Sequence, residues 1–148
     1  MAHVVLRSVN KGNWKEVARL SLKEEQKSFI ASNLYSMVEV QFLENFKTKA
    51  IYRDEEMIGF TMYGIDEEDG NYWIYRFMID QRFQGKGLGK KAMLLVIEDI
   101  EKWNSTNIPC IMIDYHRDNI GAKKMYRKVG FVETERGPGG EQFAMFTL

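Results

Sequence analysis

Two hydrophobic periods run along this chain, and the switches between them mark out its elements. Tyr75 to Ile79 is apolar and aromatic with one charge, which suits a buried strand. From Leu88 the spacing becomes helical, with Leu88, Ala92, Leu95, Val96, Ile100 and Trp103 on one face. Cys110 to Tyr115 is the next apolar run. A strand–helix–strand crossover of this length implies a parallel pair, right-handed by rule. Upstream, Ala50–Arg53 and Met57–Ile65 flank the polar turn Asp54-Glu55-Glu56 and read as a hairpin. A second turn, Asp66 to Gly70, leads into the central strand at Asn71, so these three strands are expected to be antiparallel.

The N-terminal third carries weaker signals. His3 to Val9 alternates enough for a first strand. Asn13 reads as the N-cap of a helix that puts Trp14, Val17 and Leu20 on one face. Ser21 to Glu24 has capping-box spacing for a further helical turn, after which Phe29 and Ile30 could face the core. Ser32-Asn33 marks a break, and Val38, Phe42 and Phe46 predict a short helix. At the other end, Ala122–Val129 predicts a helix, Gly137–Gly140 a turn and Gln142–Leu148 a final strand. The expected fold is α/β (α+β): a mixed, mostly antiparallel sheet flanked by helices, in one domain spanning residues 1–148.

Composition narrows the function classes. Twenty-one basic residues balance 21 acidic ones, so nothing points to nucleic acid or to a membrane surface. No run of 18 apolar residues and no signal pattern occurs. The lone cysteine, Cys110, excludes an internal disulfide and reads as a packed structural thiol, in keeping with a cytoplasmic protein. No Cys/His cluster has metal-ligand spacing, so no metal is expected.

The chemistry is concentrated between the central strand and the long helix. Gln84-Gly85-Lys86-Gly87-Leu88-Gly89 puts three glycines at alternate positions. A glycine turn feeding a helix aims unpaired N–H groups at one spot, which suits phosphate, and the missing Cβ atoms permit close approach. The Walker spacing fails here, and so does G-x-G-x-x-G. Gln/Arg-x-x-Gly-x-Gly/Ala fits, through Gln84, Gly87 and Gly89. About 30 residues on, Asn119-x-x-Ala122-x-x-Met125-Tyr126 precedes Gly130-Phe131.

With these two motifs in order, the chain from about Ala50 onward resembles the GCN5-related N-acetyltransferases (GNAT). Within that family it is similar to bacterial spermine/spermidine (diamine) N-acetyltransferases. The matching words are Ile58–Gly64, Arg76–Asp80, Gln84–Lys91 and Gly140-Glu141.

The resemblance implies acetyl-CoA as co-substrate and a V-shaped opening between the central strand and the strand after the crossover. Backbone groups of Phe77, Met78 and Ile79 would pair with the pantetheine arm, and Met78 or Ile79 would supply the oxyanion donor. Amides from Gly85, Lys86, Gly87, Leu88, Gly89 and Lys90 would hold the pyrophosphate, with Gln84 opening the motif. Asn119 would touch the pantetheine, cap its helix, or do both, and Tyr126 would be the catalytic acid.

One departure stands out. Tyr75 occupies the position where those polyamine enzymes carry a carboxylate. A phenol with a pKa near 10 neither attracts a polycation nor deprotonates it well. Tyr75 and Glu39 are taken as acceptor contacts, and the general base stays open among Glu24, Glu25, Glu39 and Glu141, with a water as relay. The acidic Asp66–Asp69 turn could attract a cation over distance.

The acceptor implied is a small primary amine, with a polyamine first and an aminoglycoside, amino acid or protein N-terminus as alternatives. A non-catalytic acyl-CoA-binding module is the competitor from another class. Without an activated Ser or Cys constellation, transfer should be direct, in a ternary complex. Members of the family often form homodimers; an aromatic content of 13% is compatible with that and does not establish it.

Overall fold

The computed structural model describes residues 3–148. Its strands are β1 (Val4–Ser8), β2 (Phe46–Arg53), β3 (Glu56–Ile65), β4 (Tyr72–Ile79), β5 (Cys110–Tyr115), β6 (Val132–Arg136) and β7 (Gln142–Thr147). They form one sheet in the order β1-β2-β3-β4-β5-β7-β6. Every pair is antiparallel except β4–β5, the parallel pair expected from the crossover. The helices are α1 (Trp14–Arg19), α2 (Asn33–Glu39), α3 (Leu88–Trp103) and α4 (Ile120–Val129).

The long helix α3 has the expected bounds, and its buried face adds Met93 and Ile97 to the predicted stripe. That face, the α4 residues Tyr126 and Val129, and Ile111, Ile113 and Phe131 make the largest core cluster. On the other side of the sheet Val17, Leu20, Phe60, Met62 and Met78 form a second one under α1 and α2. Cys110 is buried in β5, and burial pushes its thiol pKa up, as suits an inert packed thiol.

The parallel pair is short. β4 and β5 are in register only over Tyr72–Ile74 and Ile111–Ile113, yet β4 continues to Ile79 and β5 to Tyr115. The strands therefore splay after Ile74. On the other edge of β4 the register with β3 shifts at the same level: Tyr63 faces Ile74 and Met62 faces Arg76. Tyr75 is the extra residue of this bulge, and a bulge bends its strand and increases its twist. Gly59 keeps β3 close below this point, since a side chain there would collide with the Met78 carbonyl.

The N-terminal third departs from its pattern. Asn13 caps α1 by position, but its side-chain oxygen accepts from the Asn10 amide rather than from the helix. The capping box is not Ser21/Glu24. The Gln26 side chain accepts from the Lys23 amide over a single 3-10 turn, Glu24–Gln26, and Ser21 is drawn away to Asp80. Ser32 is a true N-cap, accepting from the Tyr35 amide, so the next helix starts at Asn33 rather than Val38. That helix tightens into a 3-10 turn over Val40–Phe42, and Phe46 belongs to β2. Val38 and Phe42 lie on the exposed side, not in the core. Strand β6 was absent from the sequence reading; its mostly exposed residues, Val132 among them, carry no hydrophobic alternation. Among the described residues, no helix is long and apolar enough to cross a membrane.

Candidate active site

The splay between β4 and β5 opens a cleft of about 440 Å3. Antiparallel pairing decides which backbone groups of β4 face it. The Asp80 N–H donates to the Ile58 carbonyl at 2.7 Å, so Asp80 and, by alternation, Met78 and Arg76 turn their N–H and C=O groups toward β3. Phe77 and Ile79 then present theirs to the cleft. The side chain of Gln84 donates to the Ile79 carbonyl at 2.9 Å and pairs with the amide of Gln26. This leaves the Ile79 N–H and both backbone groups of Phe77 unpaired along the opening. Of the three strand residues expected to bind through backbone, Met78 turns its backbone groups toward β3 and lines the cleft with its side chain.

At the far end of β4 the chain turns through Gly85 and Gly87, whose φ values are +77° and +76°. Only glycine adopts these freely, and no atom lies within 4 Å of where a Cβ would stand at either position. The space is open because it is a cradle, not because it is tightly packed. Gly87 is the N-cap of α3 and provides no side-chain acceptor, so the first-turn amides stay unpaired and point at the cleft. Gly85, Gly87, Gly89 and Lys90 line the cleft. Leu88 buries its side chain against the core, and Lys86 lies against the Phe83 ring; both can act only through their amides there.

Asn119 is the N-cap of α4, accepting from the Ala122 amide at 3.2 Å, and it also lines the cleft. Tyr126, one helical turn beyond Ala122, has its ring held between Tyr115 and Phe131 at 5.4 and 5.9 Å. It lines the cleft. Burial, then the charge of Asp114, then Tyr115, push the phenol pKa up, so Tyr126 keeps its proton and can donate it.

Tyr75 lines the cleft at its vertex, packed on the Phe46 ring at 4.4 Å. Its hydroxyl donates to the Asp66 carboxylate. Burial and that bond raise its pKa, which removes it further from any role as a base. Asp66, the first residue of the acidic turn, is thereby drawn to the vertex. Glu39 lies outside the cleft lining; it accepts from Arg76 at 2.8 Å in a largely buried pair. Glu24 is held by Lys27 on the surface.

The carboxylate that sequence reasoning missed is Asp114. It follows Ile113, the last residue of β5 that pairs with β4, and so stands beside Tyr75 where these two strands part. Its side chain is accessible through the cleft. Partial burial nevertheless pushes its pKa up, Glu141 adds to this, and Arg76 opposes it. In the sequence, Asp114 was one acidic residue near the end of an apolar strand. Only its alternation, outward between the buried Ile113 and Tyr115, hinted at its exposure.

The loop over the acceptor side is held by a buried carboxylate. Asp80, 2% exposed, accepts from the Ser21 amide at 2.9 Å, the Arg82 amide at 3.0 Å and the Arg82 Nε at 2.8 Å. Burial would raise its pKa, but these bonds outweigh it and hold Asp80 below the usual carboxylate value. Further along the same loop Phe29 crosses the cleft to stack on His116 at 5.0 Å.

The geometry fits an anion at the glycine turn, an extended amide-bearing arm along β4, and proton exchange near Asp114 and Tyr126. The acetyltransferase (GNAT) family profile matches residues 14–131. A spermine/spermidine N(1)-acetyltransferase of Bacillus subtilis is 29% identical over 132 residues, covering 85% of this chain and 86% of that protein. Among solved structures, a domain from Methanocaldococcus jannaschii superposes with a TM-score of 0.81 at 16% identity, covering 100% of both chains. A Vibrio cholerae spermidine N-acetyltransferase, in complex with CoA and spermine, superposes with a TM-score of 0.72 at 15% identity over 98% of this chain and 94% of that one.

Proposed function

The chain belongs to the acetyltransferase (GNAT) family, and from that premise we propose that it transfers the acetyl group of acetyl-CoA to a primary amine of a polyamine, directly, in a ternary complex. The observation that carries this reading is the meeting at one vertex of an unpaired strand backbone, a protonated phenol and a carboxyl of raised pKa. The B. subtilis relative supports a polyamine acceptor, as do the acidic residues near the vertex, Asp114 and Asp66, with Glu141 close enough to act on Asp114.

The residues present divide the work. The amides of Gly85 to Lys90 hold the pyrophosphate, and the N–H and C=O groups of Phe77 with the N–H of Ile79 hold the pantetheine amides. The thioester lies nearer the vertex than the pyrophosphate does, so the Phe77 N–H, rather than that of Met78 or Ile79, is the oxyanion donor. Asp114 takes a proton from the acceptor's ammonium, directly or through one water, and the free amine so formed attacks the thioester. Its raised pKa matches this task better than an ordinary carboxylate would, because it binds the proton more firmly near neutral pH. Tyr126 gives its proton to the departing thiolate. Tyr75 shapes the acceptor end and, through Asp66, keeps a negative charge beside it.

The first test is CoA release from acetyl-CoA against spermine, spermidine, putrescine, an aminoglycoside, single amino acids and a peptide. Release confined to the polyamines supports the proposal. Release confined to another amine moves the acceptor while leaving the donor side intact.

A further inference from the structure

A second pocket, of about 220 Å3, lies under the loop between α1 and α2. Ala18, Leu20, Ala31 and Leu34 form its walls. Leu22, Ile30 and Met78 line both this pocket and the catalytic cleft, so these three side chains form the partition between them. Met78 is on the strand that faces the thioester, and its side chain points to the α1–α2 side of the sheet, where it packs with Val17 and Leu20. Its sulfur lies 3.7 Å from the Nδ2 of Asn33, a buried side chain that also donates to the Val17 carbonyl at 3.0 Å. Methionine is flexible and adapts to irregular space, so this wall can give way without rebuilding the strand.

The charges decide what enters. Among the described residues lining the second pocket, Lys27 is the only charged one. A cationic acceptor tail would meet a like charge and apolar walls there, while carboxylates await it on the other side at Asp114. A neutral apolar chain is the occupant that suits the pocket. The group at the vertex that can extend into it without moving the reacting atoms is the acyl chain of the donor.

We infer that the enzyme takes acyl-CoA donors longer than acetyl, up to about butyryl, with the tail lodged past Met78 in the pocket between α1 and α2. The inference rests on the proposed donor reading of the cleft. The chemistry is unchanged by chain length: the thioester C–S bond breaks and the amide C–N bond forms; of the two protons the ammonium gives up, one restores the proton that Tyr126 passes to the CoA thiolate and the other leaves through Asp114 to solvent. A water's share of the liquid is about 30 Å3, so the pocket has room for the two added methylenes of butyryl. Each methylene buried strengthens binding by about fourfold, so butyryl-CoA should bind on the order of tenfold more tightly than acetyl-CoA.

The test is a calorimetric titration of acetyl-CoA and butyryl-CoA into the protein without any acceptor. The expected result is a preference of about tenfold for butyryl-CoA. Ala31→Phe fills the pocket and should abolish that preference while leaving acetyl-CoA binding unchanged. Ala18→Phe, at an exposed position of α1, should do the same and covers the case in which Ala31→Phe does not fold. Equal or weaker binding of butyryl-CoA, or a preference that survives both variants, overturns this inference alone. Binding of neither donor overturns it together with the donor reading of the cleft. Where the amine panel identifies an acceptor, mass spectrometry should find the butyryl amide as product.

Discussion

The two sides of the cleft are built on different principles. On the donor side, β4, the glycine turn and α3 present backbone: unpaired strand amides, left-handed glycines and first-turn N–H groups. On the proposed acceptor side, the stretch from Leu20 to Phe42 holds only short helical pieces joined by irregular chain and presents side chains: Leu22, Phe29, Ile30 and the buried Asn33. A backbone site can hold the same cofactor under many surface sequences, because the amides are present whatever the residue. A side-chain site changes its ligand with each substitution. On the proposed function, the donor side carries the glycine motif by which the chain resembles the family, and the acceptor side carries Tyr75, the departure from it.

That contrast can be broken most sharply at Asp114. Asp114→Asn should lower kcat/KM by about 10²- to 10⁴-fold if the carboxyl is the base, and remove the acid limb of the pH–rate profile. In the wild type that limb should rise with pH and lie above the ordinary carboxylate range, because the Asp114 pKa is raised. Stability should move the other way. A raised folded-state pKa means that Asp114 contributes stability at low pH that is lost as pH rises through that value, so the variant should melt slightly higher at neutral pH. Loss of activity with a lower melting temperature would make Asp114 a structural residue instead.

Tyr126→Phe should reduce turnover by about 10- to 100-fold, the worth of a hydrogen bond to a charged acceptor, with acetyl-CoA affinity unchanged. The ring packing against Tyr115 and Phe131 is kept in the variant, so the melting temperature should not fall. Asp80→Asn tests the link between the two sides. It should cost about 2 kcal/mol of stability by removing the charge that Arg82 and the Ser21 amide satisfy. Because the Asp80 pKa is lowered, the stability it supplies is present above the usual carboxylate pKa. It is lost as pH falls through the folded value, so variant and wild type should converge in acid. Gly87→Asp should weaken acetyl-CoA binding by about tenfold, placing a side chain at φ +76° and a negative charge in the cradle. Phe42→Ser, at 82% exposure, should alter stability by less than about 0.5 kcal/mol.

Legibility followed the same divide. The bounds of α3 and β5 agree with their hydrophobic periods because both elements bury a continuous face against the sheet. The N-terminal third misled because its local hydrogen bonds compete with long-range ones. Ser21 had the letters of a cap, but its amide serves Asp80, 59 residues away in sequence. The Val38–Phe46 spacing matched a helix, but those residues divide among a helix end, a 3-10 turn and a strand.

The sequence by itself determined the crossover, the glycine turn that demands positive φ, and the placing of Asn119 and Tyr126 at the start and middle of one helix. These depend on residues close in sequence, whose backbone preferences are read locally. Tertiary structure alone decided that Asp114 stands beside Tyr75 and that Tyr75 gives its hydroxyl to Asp66. It also decided that Phe77 and Ile79, not Met78, turn their amides to the cleft, and that Glu39 is held by Arg76. Each of these follows from strand register, and register is set by how two faces of a sheet pack against distant helices rather than by any one segment.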